Sequence, residues 1–145
     1  EECIVRLSRV GYDNTLGYLE GGINTWKAAE KELETIERIS AQDFEKQYNT
    51  VKPPVFDVRK KSEFDSEHVI GAINIPLNQI NEHLAEFPKE KPFLLYCGGG
   101  YRSMIASSIL KQRGWTNFVD VEGGFTAISK TSVAKSAYVC PTTLL

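Results

Sequence analysis

Over residues 93–113 the chain runs from an apolar stretch, Phe93-Leu94-Leu95-Tyr96, through Cys97 and three consecutive glycines into a helical pattern from about Met104. Strand, tight loop and helix in that order form the unit from which parallel sheets are built. The loop also places a thiol at the end of the strand. Successive glycines are costly in chain entropy and are justified where backbone approaches a ligand closely or takes positive φ. Main-chain N–H groups of such a loop can converge on the sulfur, and the N-terminus of the next helix adds partial positive charge there. Both effects favour the thiolate, the nucleophilic form of cysteine.

The rest of the second half alternates strand with helix. Ser40-Ala41-Gln42-Asp43 resembles a capping box with Asp in place of Glu, opening a helix with Phe44 and Tyr48 at i, i+4. Pro53-Pro54 breaks the chain before a short buried strand, Val55-Phe56-Asp57-Val58. A polar helical turn through Glu63-Phe64 and a strand at Ala72-Ile73-Asn74-Ile75-Pro76 follow. Ile80, Leu84 and Phe87 predict a helix face ended by Pro88, and residues 117–121 form the last strand. The pattern argues for an α/β fold, a mostly parallel central sheet flanked by helices. Ligands of such sheets bind beyond the carboxyl ends of strands, where Cys97 falls.

An internal repeat is present, its first copy incomplete. Leu7-Ser8-Arg9-Val10-Gly11-Tyr12-Asp13-Asn14 with Leu19-Glu20-Gly21-Gly22-Ile23 parallels Leu110-Lys111-Gln112-Arg113-Gly114-Trp115-Thr116-Asn117 with Val121-Glu122-Gly123-Gly124-Phe125. Each copy reads as a helix end, a glycine at C′, a short strand, a Glu-Gly-Gly turn and a new helix. The first copy has no counterpart of the cysteine loop. Residues 1–36 are therefore expected to be the end of a preceding domain with Trp26 packed on a core, and residues 37–145 a complete domain. The start at Glu1-Glu2, without Met or a signal-like segment, fits a piece of a longer protein.

Composition narrows the function classes. With 145 residues there is room for one ordinary domain and part of another. Seventeen Lys and Arg against nineteen Asp and Glu give a net charge of −2, which points neither to nucleic acid nor to an anionic membrane; Arg59-Lys60-Lys61 is a solvated basic face. The apolar runs are too short to span a bilayer. Three cysteines (Cys3, Cys97, Cys140) without framework spacing suit a reducing cytoplasm. His68 and His83 form no zinc-type pair with any cysteine, so neither metal nor cofactor is expected. No Gly-Lys-Ser/Thr follows the glycines, which excludes a nucleotide-binding P-loop.

Cys97-Gly98-Gly99-Gly100-Tyr101-Arg102-Ser103 resembles the Cys-x-x-Gly-x-Arg-Ser loop of rhodanese-type sulfurtransferases. Asp57-Val58-Arg59 with Glu63-Phe64, the stretch His68-Val69-Ile70-Gly71-Ala72-Ile73-Asn74-Ile75-Pro76-Leu77, and Gly114-Trp115 through Glu122-Gly123-Gly124-Phe125 are similar to that family's other signatures, in the same order. The resemblance covers residues 37–128. It implies a sulfurtransferase in which Cys97 takes the outer sulfur of thiosulfate or of a low-molecular-weight persulfide and passes it to a thiol or cyanide. Gly98, Gly99, Gly100, Tyr101, Arg102 and Ser103 would bind the substrate, their N–H groups forming a nest for the terminal sulfur. Arg102 would lend charge or brace the loop; Asp57 would hydrogen-bond the loop or cap a helix; Arg59 would attract anions or pair with Glu63.

Four residues separate Cys97 from Arg102. Cysteine phosphatases resemble Cys-x5-Arg, one residue longer, a wider cradle suited to a phosphoryl group; a phosphatase or arsenate reductase is therefore the less favoured enzyme. Uncharged Gly98 and Gly99 suggest a weak grip on thiosulfate and a bulkier persulfide donor. The repeated organisation and the closing Val139-Cys140-Pro141-Thr142-Thr143-Leu144-Leu145 resemble tandem rhodanese tails of metallo-β-lactamase-fold hydrolases. That implies an upstream hydrolase or persulfide dioxygenase domain in the parent chain, and a non-catalytic sulfur-relay or docking role as the alternative. Apolar surface on the incomplete repeat would favour a homodimer.

Overall fold

The structure, a computed structural model, describes residues 2–8 and 13–140. The remainder of the first repeat motif, residues 9–12, and the closing residues 141–145 lie outside the described residues. The chain divides into two compact units, Glu1–Thr35 and Ile36–Leu145.

The first unit holds two short helices, α1 (Glu2–Ser8) and α2 (Gly22–Ala28). Every described side chain in it is exposed. Trp26 is 42% exposed, with its indole N–H donating to the Glu32 carbonyl at 2.9 Å, so the expected packing of Trp26 on a core is not met. Two helices of seven residues each offer too little apolar surface to enclose one.

The second unit carries β1 (Arg38–Ile39), α3 (Ala41–Thr50), β2 (Val55–Asp57), α4 (Lys61–Ser66), β3 (Ile73–Asn74), β4 (Phe93–Tyr96), α5 (Tyr101–Gln112), β5 (Phe118–Val121) and α6 (Gly124–Ile128). The strands form one sheet in the order β1-β5-β4-β2-β3, and every pairing is parallel. Ser40 caps α3 by accepting the Asp43 N–H at 3.1 Å, and its hydroxyl donates back to the Asp43 carboxylate at 2.7 Å. β1 escaped the sequence reading because two residues carry no periodicity.

The helix expected through Ile80, Leu84 and Phe87 is instead two 3-10 turns, Leu77–Gln79 and Leu84–Glu86. The bonds there run i to i+3, from Glu82 N–H to Gln79 O at 3.0 Å and from His83 N–H to Ile80 O at 3.2 Å. Asn78 and Asn81 have a low preference for the α-helix, while the tighter turns still deliver Ile80 and Phe87 to the core.

Both faces of the sheet are covered. Phe93, Leu95 and Cys97 point to the side packed with Ala106 and Leu110 of α5, together with Phe56, Trp115 and Phe118. Leu94 and Tyr96 point to the opposite side, with Ala41 and Phe44 of α3, Val121, and Ile128 of α6. A strand buried on both faces reads as a continuous apolar run, which is why Phe93-Leu94-Leu95-Tyr96 gave the strand away. The same alternation sends the Cys97 side chain beneath α5.

Candidate functional site

β4 ends at Tyr96, and Cys97 opens the loop that turns into α5. Gly100 makes the turn at φ +100°, a conformation few residues other than glycine adopt. Its N–H donates to the Cys97 Sγ at 3.1 Å. Among the described residues that amide is the one hydrogen-bonded to the thiol itself. Cys97 is 1% exposed and belongs to the core cluster, so its sulfur sits below the loop mouth rather than at it. Gly99 and Tyr101 are exposed above it, while Gly98 and Arg102 are half-buried and Ser103 buried.

Two latches hold the loop. The first is the N-terminus of α6, whose otherwise unused N–H groups are turned onto it. Phe125 N–H donates to the Cys97 carbonyl at 2.7 Å, and Thr126 N–H to the Gly98 carbonyl at 3.0 Å, joined by the Thr126 hydroxyl at 2.9 Å. Gly123 and Gly124, at φ +72° and +53°, bring these groups close; a Cβ on Gly124 would run into the Cys97 carbonyl. The Glu-Gly-Gly turn therefore supports the cysteine loop, a role the sequence reading missed although the motif itself was visible.

The second latch is a fork between Arg102 and Glu63 of α4, Nη1 to Oε2 at 2.5 Å and Nη2 to Oε1 at 2.9 Å. Arg102 is thus a brace, its charge matched by a carboxylate. A Cβ on Gly98 would stand 3.0 Å from the Arg102 Nη2 of this fork. The Arg102 hydrogen bond holds the Glu63 carboxyl below the usual carboxylate range, against the opposing effect of burial. A carboxyl depressed in the folded state stabilises the fold above its unfolded value, near 4.3, and loses that contribution as pH falls through the lower folded value. Wild type should accordingly exceed Glu63→Gln in melting temperature at neutral pH, and the two should converge below about pH 4. Equal melting temperatures throughout would remove the latch from the account.

Asp57 and Arg59 do not play the roles the sequence suggested. Asp57 is buried, and its carboxylate accepts the Arg59 backbone N–H at 2.9 Å and the Arg59 guanidinium at 2.6 Å, instead of reaching the cysteine loop. Arg59 pairs with Asp57 and not with Glu63. It is 5% exposed, donates to the Glu67 carbonyl at 2.8 Å and lies 4.1 Å from the Phe125 ring centroid. Burial works against its charge, and the Asp57 carboxylate, with smaller contributions from Tyr96 and Glu63, offsets this, leaving the guanidinium raised. So enclosed, it braces the carboxyl end of β2.

His68 donates from Nδ1 to the Phe64 carbonyl at 2.7 Å and stacks on the Phe64 ring. His83 pairs with Glu86 at the surface. Cys3 and Cys140 are exposed, and the chain beside Cys140 is tied down by Val139, which exchanges hydrogen bonds with Ser66. Among the described residues no cluster of His, Cys, Asp and Glu could hold a metal ion, and no helix is long and apolar enough to cross a membrane. A cleft of about 1020 Å³ opens at the carboxyl ends of β2 and β3, with Lys60, Lys61, Asn74, Leu77 and Arg102 in its walls. Arg102 is the cysteine-loop residue in that lining.

Comparison with known proteins agrees with this geometry. Residues 40–131 match the family described as the Rhodanese-like domain. The uncharacterized protein YqhL of Bacillus subtilis is 39% identical over 74 residues, 51% of this chain and 59% of that protein, so this chain spans less than two thirds of that relative. The thiosulfate sulfurtransferase PspE of Escherichia coli is 38% identical over 79 residues, 53% of this chain and 75% of PspE. Among solved structures, a rhodanese-related protein from Thermoplasma volcanium superposes with a TM-score of 0.61 at 31% identity, over 69% of this chain and 97% of that one.

Proposed function

Since the chain belongs to the Rhodanese-like domain family, we propose that it moves a sulfane sulfur through a persulfide on Cys97. The Cys97 thiolate attacks the outer sulfur of the donor. The donor's sulfur–sulfur bond breaks, and sulfite from thiosulfate, or a thiolate from a low-molecular-weight persulfide, leaves with the electron pair. A thiol or cyanide then attacks the outer sulfur of the persulfide, and Cys97 leaves as thiolate. The observation that carries this reading is the Gly100 N–H on the Cys97 Sγ, in a loop closed by the Arg102–Glu63 fork five residues after Cys97. A loop so short suits one sulfur atom better than a phosphoryl group.

The donor is a persulfide more readily than thiosulfate. Glu63 matches the Arg102 charge, and Gly98 to Tyr101 carry none, so little in the loop itself holds a dianion. The cleft beside Arg102, with Lys60 and Lys61 in its wall, has room for the body of a larger thiol. Gly99 offers the cleanest test, because it is exposed and nothing lies within 4 Å of where a Cβ would stand. Gly99→Arg should raise kcat/KM for thiosulfate about 2–5-fold, the effect of one partly exposed charge, and leave glutathione persulfide nearly unchanged. A wild-type thiosulfate constant well above that for glutathione persulfide would overturn the donor assignment.

One observation favours a second reading, a non-catalytic docking or relay module of a fused hydrolase: Cys97 is 1% exposed. A docking module would take up no sulfur from either donor.

Gly21 and Gly22 turn at φ +75° and +57°, and Gly123 and Gly124 at +72° and +53°. We propose that residues 1–36 are the closing elements of a second, preceding repeat, with the matched Glu-Gly-Gly turns as the support. Residues 37–145 alone should then melt within about 2 °C of the full chain, because each unit has its own contacts. A much lower melting point would make the first unit part of the catalytic domain.

A further inference from the structure

Asp120 lies in β5 opposite Arg38 of β1 on one side and Leu95 of β4 on the other, and is fully buried. One carboxylate oxygen, Oδ2, accepts from the Arg38 Nε at 3.1 Å; the other, Oδ1, is buried without a partner. A buried carboxylate with an idle oxygen is a poor way to stabilise a sheet, since each unmet acceptor keeps its desolvation cost. Nothing in the sulfur-transfer scheme above uses it.

Its neighbours lead to the thiol by two routes. Ser103, in the first turn of α5, is fully buried, and its hydroxyl donates to the Gly100 carbonyl at 3.2 Å. That is long for an O–H···O bond. A serine hydroxyl has one proton, and a carboxylate is the stronger acceptor for it. Ser103 is close enough to Asp120 for its hydroxyl, together with Arg38, to favour the ionised carboxylate, while burial outweighs both and raises Asp120. The second route is Arg38, whose Nη2 stands 3.5 Å from where a Cβ on Gly100 would be. Glu122, beyond it, accepts from Arg38 Nη1 at 3.4 Å. Both routes end on Gly100, the residue whose N–H meets the Cys97 sulfur.

We infer that Asp120 is a positioning residue for the cysteine loop: by competing for the Ser103 hydroxyl and anchoring Arg38, it sets how firmly Gly100 presents its N–H to Cys97. The charged groups facing Asp120 are Arg38 from β1 and Glu122 from its own strand, with Ser103 the polar group from α5. An ionised Asp120 draws the hydroxyl from Gly100 and places negative charge beneath the loop. A neutral side chain there leaves the hydroxyl on Gly100. The inference rests on Cys97 being the reacting thiol. Alkylation reports that thiol whether or not sulfur is transferred, so failure here and failure of the sulfurtransferase reading are separate results.

The test is the pH profile of Cys97 alkylation by iodoacetamide in a Cys3→Ser/Cys140→Ser background, with the modified peptide identified by mass. Asp120→Asn keeps the shape and removes the charge. It should shift the profile to lower pH and speed alkylation at pH 7 about 2–5-fold, the gain in thiolate being partly offset by its lower nucleophilicity. In a Ser103→Ala background the same substitution should lose most of that effect, because the two residues act as a unit. An unchanged profile for Asp120→Asn, or a full effect without Ser103, overturns the proposal. If Asp120→Asn does not fold, Arg38→Gln tests the other route: a shift to higher pH supports the proposal and no shift overturns it.

Discussion

Cys97→Ser is expected to lower kcat/KM for sulfur transfer by on the order of 10³-fold or more with either donor, while the protein stays folded. The size of the effect follows from the mechanism. Every step forms or breaks a bond at this sulfur, and a serine hydroxyl neither ionises near neutral pH nor forms a persulfide. The fold should tolerate the change, because the serine oxygen can still accept the Gly100 N–H that now reaches the thiol. Thiocyanate release from thiosulfate and cyanide measures the rate, and the melting temperature gives the control. Activity retained in Cys97→Ser would move the chemistry to Cys3 or Cys140, both exposed thiols.

Gly124→Ala is expected to be the most damaging substitution that touches no reacting atom. The backbone there is left-handed at φ +53°, and the new Cβ would meet the Cys97 carbonyl. Left-handed strain and overpacking together should cost roughly 2–5 kcal/mol. In a domain of this size that lowers the melting temperature by on the order of 10 °C. The collision lies on the cysteine loop, so activity at low temperature, where the variant is folded, should fall as well. Gly71→Ala provides the comparison: a left-handed position in the same unit, φ +78°, with nothing within 4 Å of the added Cβ. It bears the strain without the collision. Equal losses at the two positions would show that the close approach to Cys97 contributes nothing.

Gly124 also marks the limit of what the sequence alone makes legible. Its motif was visible as a turn, and the turn is there, but its purpose lies in a carbonyl 27 residues earlier that only the folded chain brings near. The same holds for Glu63. The strand order places α4 beside the cysteine loop, so Arg102 finds a carboxylate 39 positions away while Arg59, nearer in sequence, is taken by Asp57. Local signals fared better. The buried run from Phe93, the Ser40 cap and the glycine turn at Gly100 all act within a few residues, and each appears as read. The helix expected at Ile80 to Phe87 failed for the opposite reason: correct spacing of apolar residues is compatible with 3-10 turns when asparagines dilute the helical preference. Arg38 and Asp120 gave no signal, since a two-residue edge strand and one acidic residue in an apolar strand become informative only side by side.

The most direct test is the intact mass of the protein after incubation with thiosulfate or glutathione persulfide. One added sulfur on the Cys97 peptide, removed by dithiothreitol and missing from Cys97→Ser, is the result expected here. No added sulfur from either donor, or an equal gain in the variant, would contradict a persulfide carried by Cys97.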